Sequence, residues 1–124
     1  MSNKTILVVD DEPDIRLMVC RMLAKDYFVL EAADGDEAVN VARVQKPDLI
    51  LMDIMMPGND GYSACHSIKS DTTTKSIPVI MVTGIGHHLN VKLSAEVGAD
   101  GYITKPFSLA DLLEVIDRFL AGTG

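Results

Sequence analysis

Short apolar runs alternate with stretches of helical periodicity along the whole chain, and this alternation restricts the fold more than any other feature. Ile6 to Val9, Tyr27 to Leu30, Leu49 to Met52, Val79 to Val82 and Tyr102 to Thr104 read as strands. The first, third and fourth are continuous apolar runs with no polar alternation, the pattern of strands buried on both faces. Between them, Pro13 sits where a helix can begin without its N–H, and Ile15, Met18, Val19 and Met22 follow at helical spacing. Asp34 and Glu37 form a D-x-x-E helix start, and Pro47 closes that helix. Pro57 to Gly61 is dense turn chemistry, followed by a short helix carrying Tyr62, Cys65 and Ile68. Leu89, Leu93 and Val97 mark a helix stopped by Gly98. Ser108 caps a last helix with the stripe Leu109, Leu112, Leu113, Ile116, Phe119 and Leu120. Strands and helices in strict alternation imply an α/β fold, a parallel sheet with helices on both faces.

The bulk composition narrows the class. At 124 residues, 48% hydrophobic and 23% charged, the chain is expected to form a single domain over 1–124, with no output domain following it. Eleven basic against 18 acidic residues give a formal charge of −7. Without a Lys/Arg cluster, direct nucleic-acid binding is not expected. No apolar stretch reaches membrane-spanning length and no signal peptide precedes the first strand, so a cytoplasmic location is expected. Cys20 and Cys65 form no CxxC pair and read as buried reduced thiols. His87 and His88 are adjacent and do not converge on one metal as an i, i+4 pair could.

In open parallel sheets, ligands sit beyond the carboxyl ends of the strands. The residues just past these ends are Asp10 and Asp11 after the first strand, Asp53 after the third, Thr83 after the fourth, and Lys105-Pro106 after the fifth. Three carboxylates gathered in one crevice repel one another and either take up protons or bind a cation. Mg²⁺ suits such a site, being held by one or two carboxylates with waters and phosphate oxygens. Carboxylates, a cation, a hydroxyl and a lysine are also what phosphoryl transfer needs, with one carboxylate able to act as nucleophile.

The segments LVVDDE at Leu7 to Glu12, LILMDIMMPGNDG at Leu49 to Gly61, VTG at Val82 to Gly84 and GADGYITKPF at Gly98 to Phe107 together resemble the receiver domains of two-component response regulators. The resemblance covers essentially the whole chain. It implies a flavodoxin-like (βα)5 three-layer sandwich with a five-stranded parallel sheet in the order 2-1-3-4-5. By position, Asp53 resembles the phosphoacceptor, Asp11 the direct Mg²⁺ ligand and Asp10 the ligand acting mainly through water, with the backbone carbonyl of Met55 completing the protein donors. Lys105 resembles the lysine that pairs with the acceptor and then with its phosphate, and Pro106 the proline that follows a cis peptide. Thr83 resembles the switch hydroxyl, and Tyr102 the aromatic that turns inward after it moves.

The function so implied is that of a signalling switch, with no catalysis beyond its own phosphorylation and autodephosphorylation. A sensor histidine kinase or a histidine phosphotransfer protein supplies the phosphoryl group. The face made by the fourth helix, fifth strand and fifth helix then controls a downstream protein or linked output domain. The chain is expected to be a monomer or a weak, phosphorylation-dependent dimer: Gly101, Val91 and Val115 stand where the dimer mode of receivers joined to winged-helix domains places charges, while Asp100 and Asp111 still fit it. Met55 and Ile85 are apolar where the family's hydrolytic water passes, which implies slow unassisted dephosphorylation. Two alternatives are a phosphohydrolase with an aspartate nucleophile and a pseudo-receiver serving as a fixed binding surface. The first would need an acid two residues past Asp53, where Met55 stands.

Overall fold

The runs Ile6 to Val9, Leu49 to Met52 and Val79 to Val82 become strands buried on both faces. The computed structural model describes residues 4–54, 56–57, 60–84 and 91–121. Its elements are β1 (Thr5–Val9), α1 (Pro13–Leu23), β2 (Phe28–Ala32), α2 (Gly35–Gln45), β3 (Leu49–Asp53), α3 (Asp60–Ser70), β4 (Val79–Thr83), α4 (Val91–Glu96), β5 (Gly101–Thr104) and α5 (Leu109–Ala121). The strands pair in parallel in the order β2-β1-β3-β4-β5. This is the flavodoxin-like (βα)5 arrangement expected from the sequence.

Side-chain alternation divides the interior into two layers. Leu7, Val9, Ile50, Met52, Val79 and Met81 face α2 and α3, packing on Ala38, Ala42, Cys65 and Ile68. Ile6, Val8, Leu49, Leu51, Ile80, Val82 and Ile103 face α1 and α5, packing on Val19, Leu23, Leu112 and Ile116. No helix among the described residues is long and apolar enough to cross a membrane.

The helix ends follow local chemistry closely. Asp34 Oδ1 accepts from the Glu37 N–H at 2.8 Å. Glu37 Oε1 in turn accepts from the Ala33 N–H at 3.3 Å, one residue before the N-cap that an ideal capping box would serve. Ser108 and Asp111 form the reciprocal box: Asp111 N–H donates to Ser108 Oγ at 3.0 Å, and Ser108 N–H to Asp111 Oδ2 at 3.1 Å. After α4, Gly98 has φ +84°, Ala99 N–H reaches the Ser94 carbonyl at 3.0 Å, and Gly98 N–H reaches the Ala95 carbonyl at 3.2 Å. That is a Schellman motif, and it requires the left-handed glycine anticipated at this position.

Two boundaries differ from expectation. β2 starts at Phe28 and runs on to Ala32, so Glu31 is a strand residue. β2 is an edge strand, which tolerates a charge, and Glu31 is held there by Arg16 at 3.0 Å. Asp60 and Gly61, read as turn residues, are the first turn of α3. Leu89, His87 and His88 lie outside the described residues.

α2 ends differently from α4. Lys46 takes the left-handed position, at φ 47° and ψ 64°, immediately before Pro47. A side chain with a Cβ is strained there, by roughly 1 kcal/mol relative to glycine. Lys46→Gly is therefore expected to raise unfolding stability by about that amount, read as a higher urea midpoint at unchanged slope.

The two cysteines are also distinguishable. Cys65 is buried, its S–H donates to the Val97 carbonyl at 3.7 Å, and burial pushes its pKa from 9.0 up to about 12. Cys20 is only part-buried, contrary to the expected burial, with its pKa raised to about 11, again mainly by desolvation. A thiol pKa raised by folding adds stability that is complete below pH 9.0 and disappears as the pH climbs through 11 to 12. At pH 8, alkylation of Cys65 in the native protein is expected to be slower than in the urea-unfolded chain by at least about a hundredfold, since the thiolate is the reactive form. Mass spectrometry of iodoacetamide adducts with and without urea measures this.

Candidate functional site

The parallel register brings distant residues to one edge of the sheet. Val9 lies opposite Met52 and Asp53 opposite Val82, so β1, β3 and β4 end side by side. Asp10 follows β1, Asp53 ends β3, Thr83 ends β4, and Thr83 pairs with Thr104, the residue before Lys105. Backbone hydrogen bonds extend the ladder past the strands: Asp10 N–H to the Ala32 carbonyl at 3.1 Å, Ile54 N–H to the Val82 carbonyl at 3.0 Å, and Lys105 N–H to the Thr83 carbonyl at 2.6 Å.

Carboxylate oxygens of Asp10, Asp11 and Asp53 lie within 4.8 Å of one another. Asp10 and Asp53 are buried, at 4% and 3% exposure, while Asp11 is exposed. The Lys105 ammonium reaches in from β5. It stands 3.2 Å from Asp10 Oδ2 and 3.9 Å from Asp53 Oδ2, and so leans on Asp10 more closely than on the Asp53 partner the resemblance implied. Asp10 Oδ1 accepts from the Glu12 N–H at 2.9 Å, leaving Oδ2 to face the lysine. The Lys105–Pro106 peptide is cis, as expected. Thr83 is buried and Tyr102 is 60% exposed, its ring on the outside of the sheet edge. Met55 lies outside the described residues, as does Ile85.

Among the described residues, three carboxylates and one ammonium meet in the cup. Buried like charges at this separation are unfavourable unless protonated or joined by a cation. The donors are all hard oxygens, with no sulfur or imidazole among them, a set that fits Mg²⁺ rather than a softer transition metal.

Two supporting roles are not legible in the sequence. Arg16 Nη1 donates to the Asp10 carbonyl at 2.8 Å. Gly61 sits so close to β3 that a Cβ there would lie 2.5 Å from the Asp53 carbonyl oxygen. Both depend on how elements approach one another, which spacing along the chain does not reveal.

A parallel sheet ending in an acid cup and a lysine defines a class of proteins, and comparison with known proteins agrees with it. The model of the response regulator receiver domain matches residues 6–117, and the chain belongs to that family, the receiver domains of two-component signalling. Among curated relatives, the phosphate regulon transcriptional regulatory protein PhoB of Pseudomonas aeruginosa is 45% identical over 125 residues, covering 100% of this chain and 55% of that protein. The chain spans about half the length of the curated relatives it matches. Among solved structures, Vibrio cholerae chemotaxis protein CheY4 superimposes with a TM-score of 0.87 at 33% identity, covering 96% of this chain and 100% of that one. The receiver domain of sensor histidine kinase PA1611 from Pseudomonas aeruginosa PAO1, described with magnesium coordinated in its active-site cleft, gives a TM-score of 0.87 at 32% identity and covers 97% and 99% of the two chains.

These relatives correct one expectation. Several carry the name of transcriptional regulator, so the exclusion of a nucleic-acid partner, drawn from the acidic balance of these 124 residues, has no support for a longer protein containing them.

Proposed function

We propose that residues 1–124 act as one receiver unit in which Asp53 accepts a phosphoryl group from a phosphohistidine on a sensor histidine kinase or histidine phosphotransfer protein. The observation that carries this reading is the convergence of the Asp10, Asp11 and Asp53 carboxylates within 4.8 Å, with the Lys105 ammonium 3.9 Å from Asp53. Asp10, Asp11 and Asp53 would hold Mg²⁺, with the Met55 carbonyl as a further donor. The ion supplies charge neutralisation for the incoming phosphoryl oxygens.

Asp53 attacks through a carboxylate oxygen. A P–O bond forms as the P–N bond of the phosphohistidine breaks, and the electron pair leaves with the imidazole nitrogen. Lys105 is placed to move its hydrogen bond from Asp10 to a phosphoryl oxygen on Asp53. Its attachment to β5 next to Thr83 ties that movement to the strand carrying Tyr102. Thr83 donates its hydroxyl to the new phosphoryl group, and Tyr102, outward here, takes the space it leaves. The result is a shift between two conformations of the α4-β5-α5 face, read by a downstream protein or a linked output domain. A near-complete swing requires about 5.5 kcal/mol of differential stabilisation.

A pseudo-receiver would lack part of the acid cup, whereas all three acids converge here. Incubation with Mg²⁺ and acetyl phosphate or phosphoramidate is expected to add the mass of one phosphate, labile at alkaline pH and absent in Asp53→Asn. Stoichiometric incorporation that survives Asp53→Asn would refute the assignment.

A further inference from the structure

The Asp10–Asp11 turn joins the end of the sheet to the cup. It follows the last residue of β1, carries two of the three carboxylates that meet among the described residues, and leads into a helix whose N-cap, Glu12, makes no side-chain cap bond. The Asp10 carboxylate is fixed by Glu12 N–H and Lys105. The peptide unit joining Asp10 to Asp11 needs an anchor of its own, since its rotation would swing the exposed Asp11 carboxylate out of the cup.

Arg16 provides that anchor. From the first turns of α1 its Nη1 donates to the Asp10 carbonyl at 2.8 Å, while its Nε donates to Glu31 Oε1 of β2 at 3.0 Å. Asp10 N–H is bonded to Ala32, the next residue of the same strand. Asp10, the first of the acid pair, is thus held from both sides: through N–H by β2 directly, and through C=O by Arg16 braced on β2. The Arg16 side chain is 19% exposed and its charge is paired with Glu31, so its contribution is geometric. Its planar fork donates in two fixed directions, which a lysine cannot do.

We propose that Arg16 is a positioning residue for the magnesium cup, setting the Asp10–Asp11 peptide plane so that both carboxylates face Asp53. The proposal rests on the phosphoacceptor reading above. Groups that orient metal ligands typically contribute 10–100-fold in metal affinity. Titration of the unphosphorylated protein with Mg²⁺, followed by backbone amide NMR without a phosphodonor, should give a Kd about tenfold weaker in Arg16→Met. Arg16→Lys, which keeps the charge and loses the fork, should be weakened nearly as much, and Glu31→Gln less. Urea unfolding of the same variants without Mg²⁺ separates a structural effect from a positioning one. A lowered urea midpoint with Mg²⁺ Kd within twofold of wild type in both Arg16 variants would overturn the proposal while leaving the phosphoacceptor reading intact. If the wild-type chain itself shows no Mg²⁺-dependent shifts around Asp53, the reading and the proposal fall together.

Discussion

Gly61→Ala is expected to cut phosphoryl incorporation from acetyl phosphate by about a hundredfold while the protein still folds. The added Cβ would lie 2.5 Å from the Asp53 carbonyl oxygen and 3.2 Å from Ile54 Cα. Relief requires α3 and the end of β3 to part by close to 1 Å, and a misplacement of that size at a reacting group costs roughly 10²-fold in rate. The backbone on both sides resists. Ile54 N–H is tied to the Val82 carbonyl at 3.0 Å, and the neighbouring Asp60 carboxylate accepts from the Gly35 N–H at 2.6 Å, pinning the start of α3 to the start of α2. Overpacking of this kind typically costs about 1–3 kcal/mol of stability. The check is a single-turnover phosphorylation rate measured well below the urea midpoint of the variant. Wild-type rates in a destabilised protein would show that α3 yields without moving Asp53.

Gly61 also marks where sequence reading ends. Its neighbours Pro57 to Asp60 are turn formers, so a turn glycine was the natural inference, yet Gly61 is helical and its requirement is interatomic distance. The strands were legible because burial on both faces writes a continuous apolar run, as in Leu49 to Met52. The last helix was legible because its buried stripe repeats at helical spacing and Ser108 begins it with a capping hydroxyl. The end of β2 is not legible in the sequence, since Glu31 breaks the apolar run and its place at the sheet edge beside Arg16 appears only in the fold. The acid cup was legible for a topological reason. A parallel sheet sends every strand's carboxyl end to one edge, so residues 10, 53, 83 and 105 are brought together by fold class alone. The lean of Lys105 toward Asp10 was not, because it depends on side-chain approach across three strands.

The same cup should make two neutralising substitutions move stability in opposite directions. With one ligand oxygen from each acid within 4.8 Å of the others, Asp53 faces two like charges and one ammonium at 3.9 Å. At an effective dielectric constant of about 20, each such pair is worth roughly 3–4 kcal/mol, so these two repulsions outweigh this one attraction by about 3 kcal/mol before burial is counted. Asn at this position keeps the shape and removes the charge, at the cost of an amide that must find partners in the cup. In EDTA, Asp53→Asn is therefore expected to stabilise the fold by about 2 kcal/mol while abolishing phosphoryl incorporation. Lys105→Met removes the ammonium that stands 3.2 Å from Asp10 and 3.9 Å from Asp53, an attraction shared by two buried carboxylates. Breaking a buried pair from one side typically costs about 3–5 kcal/mol, and the 23% exposure of the lysine side chain brings the expected loss to about 2–4 kcal/mol. Mg²⁺ should recover much of the stability lost in Lys105→Met by replacing the missing charge, and recover little in Asp53→Asn, where a ligand is gone. Urea midpoints of wild type and the two variants, each with EDTA and with excess Mg²⁺, measure all of this. Shifts of the same sign in EDTA would mean that packing around Asp53, and not the charge of the cup, sets the energetics of the site.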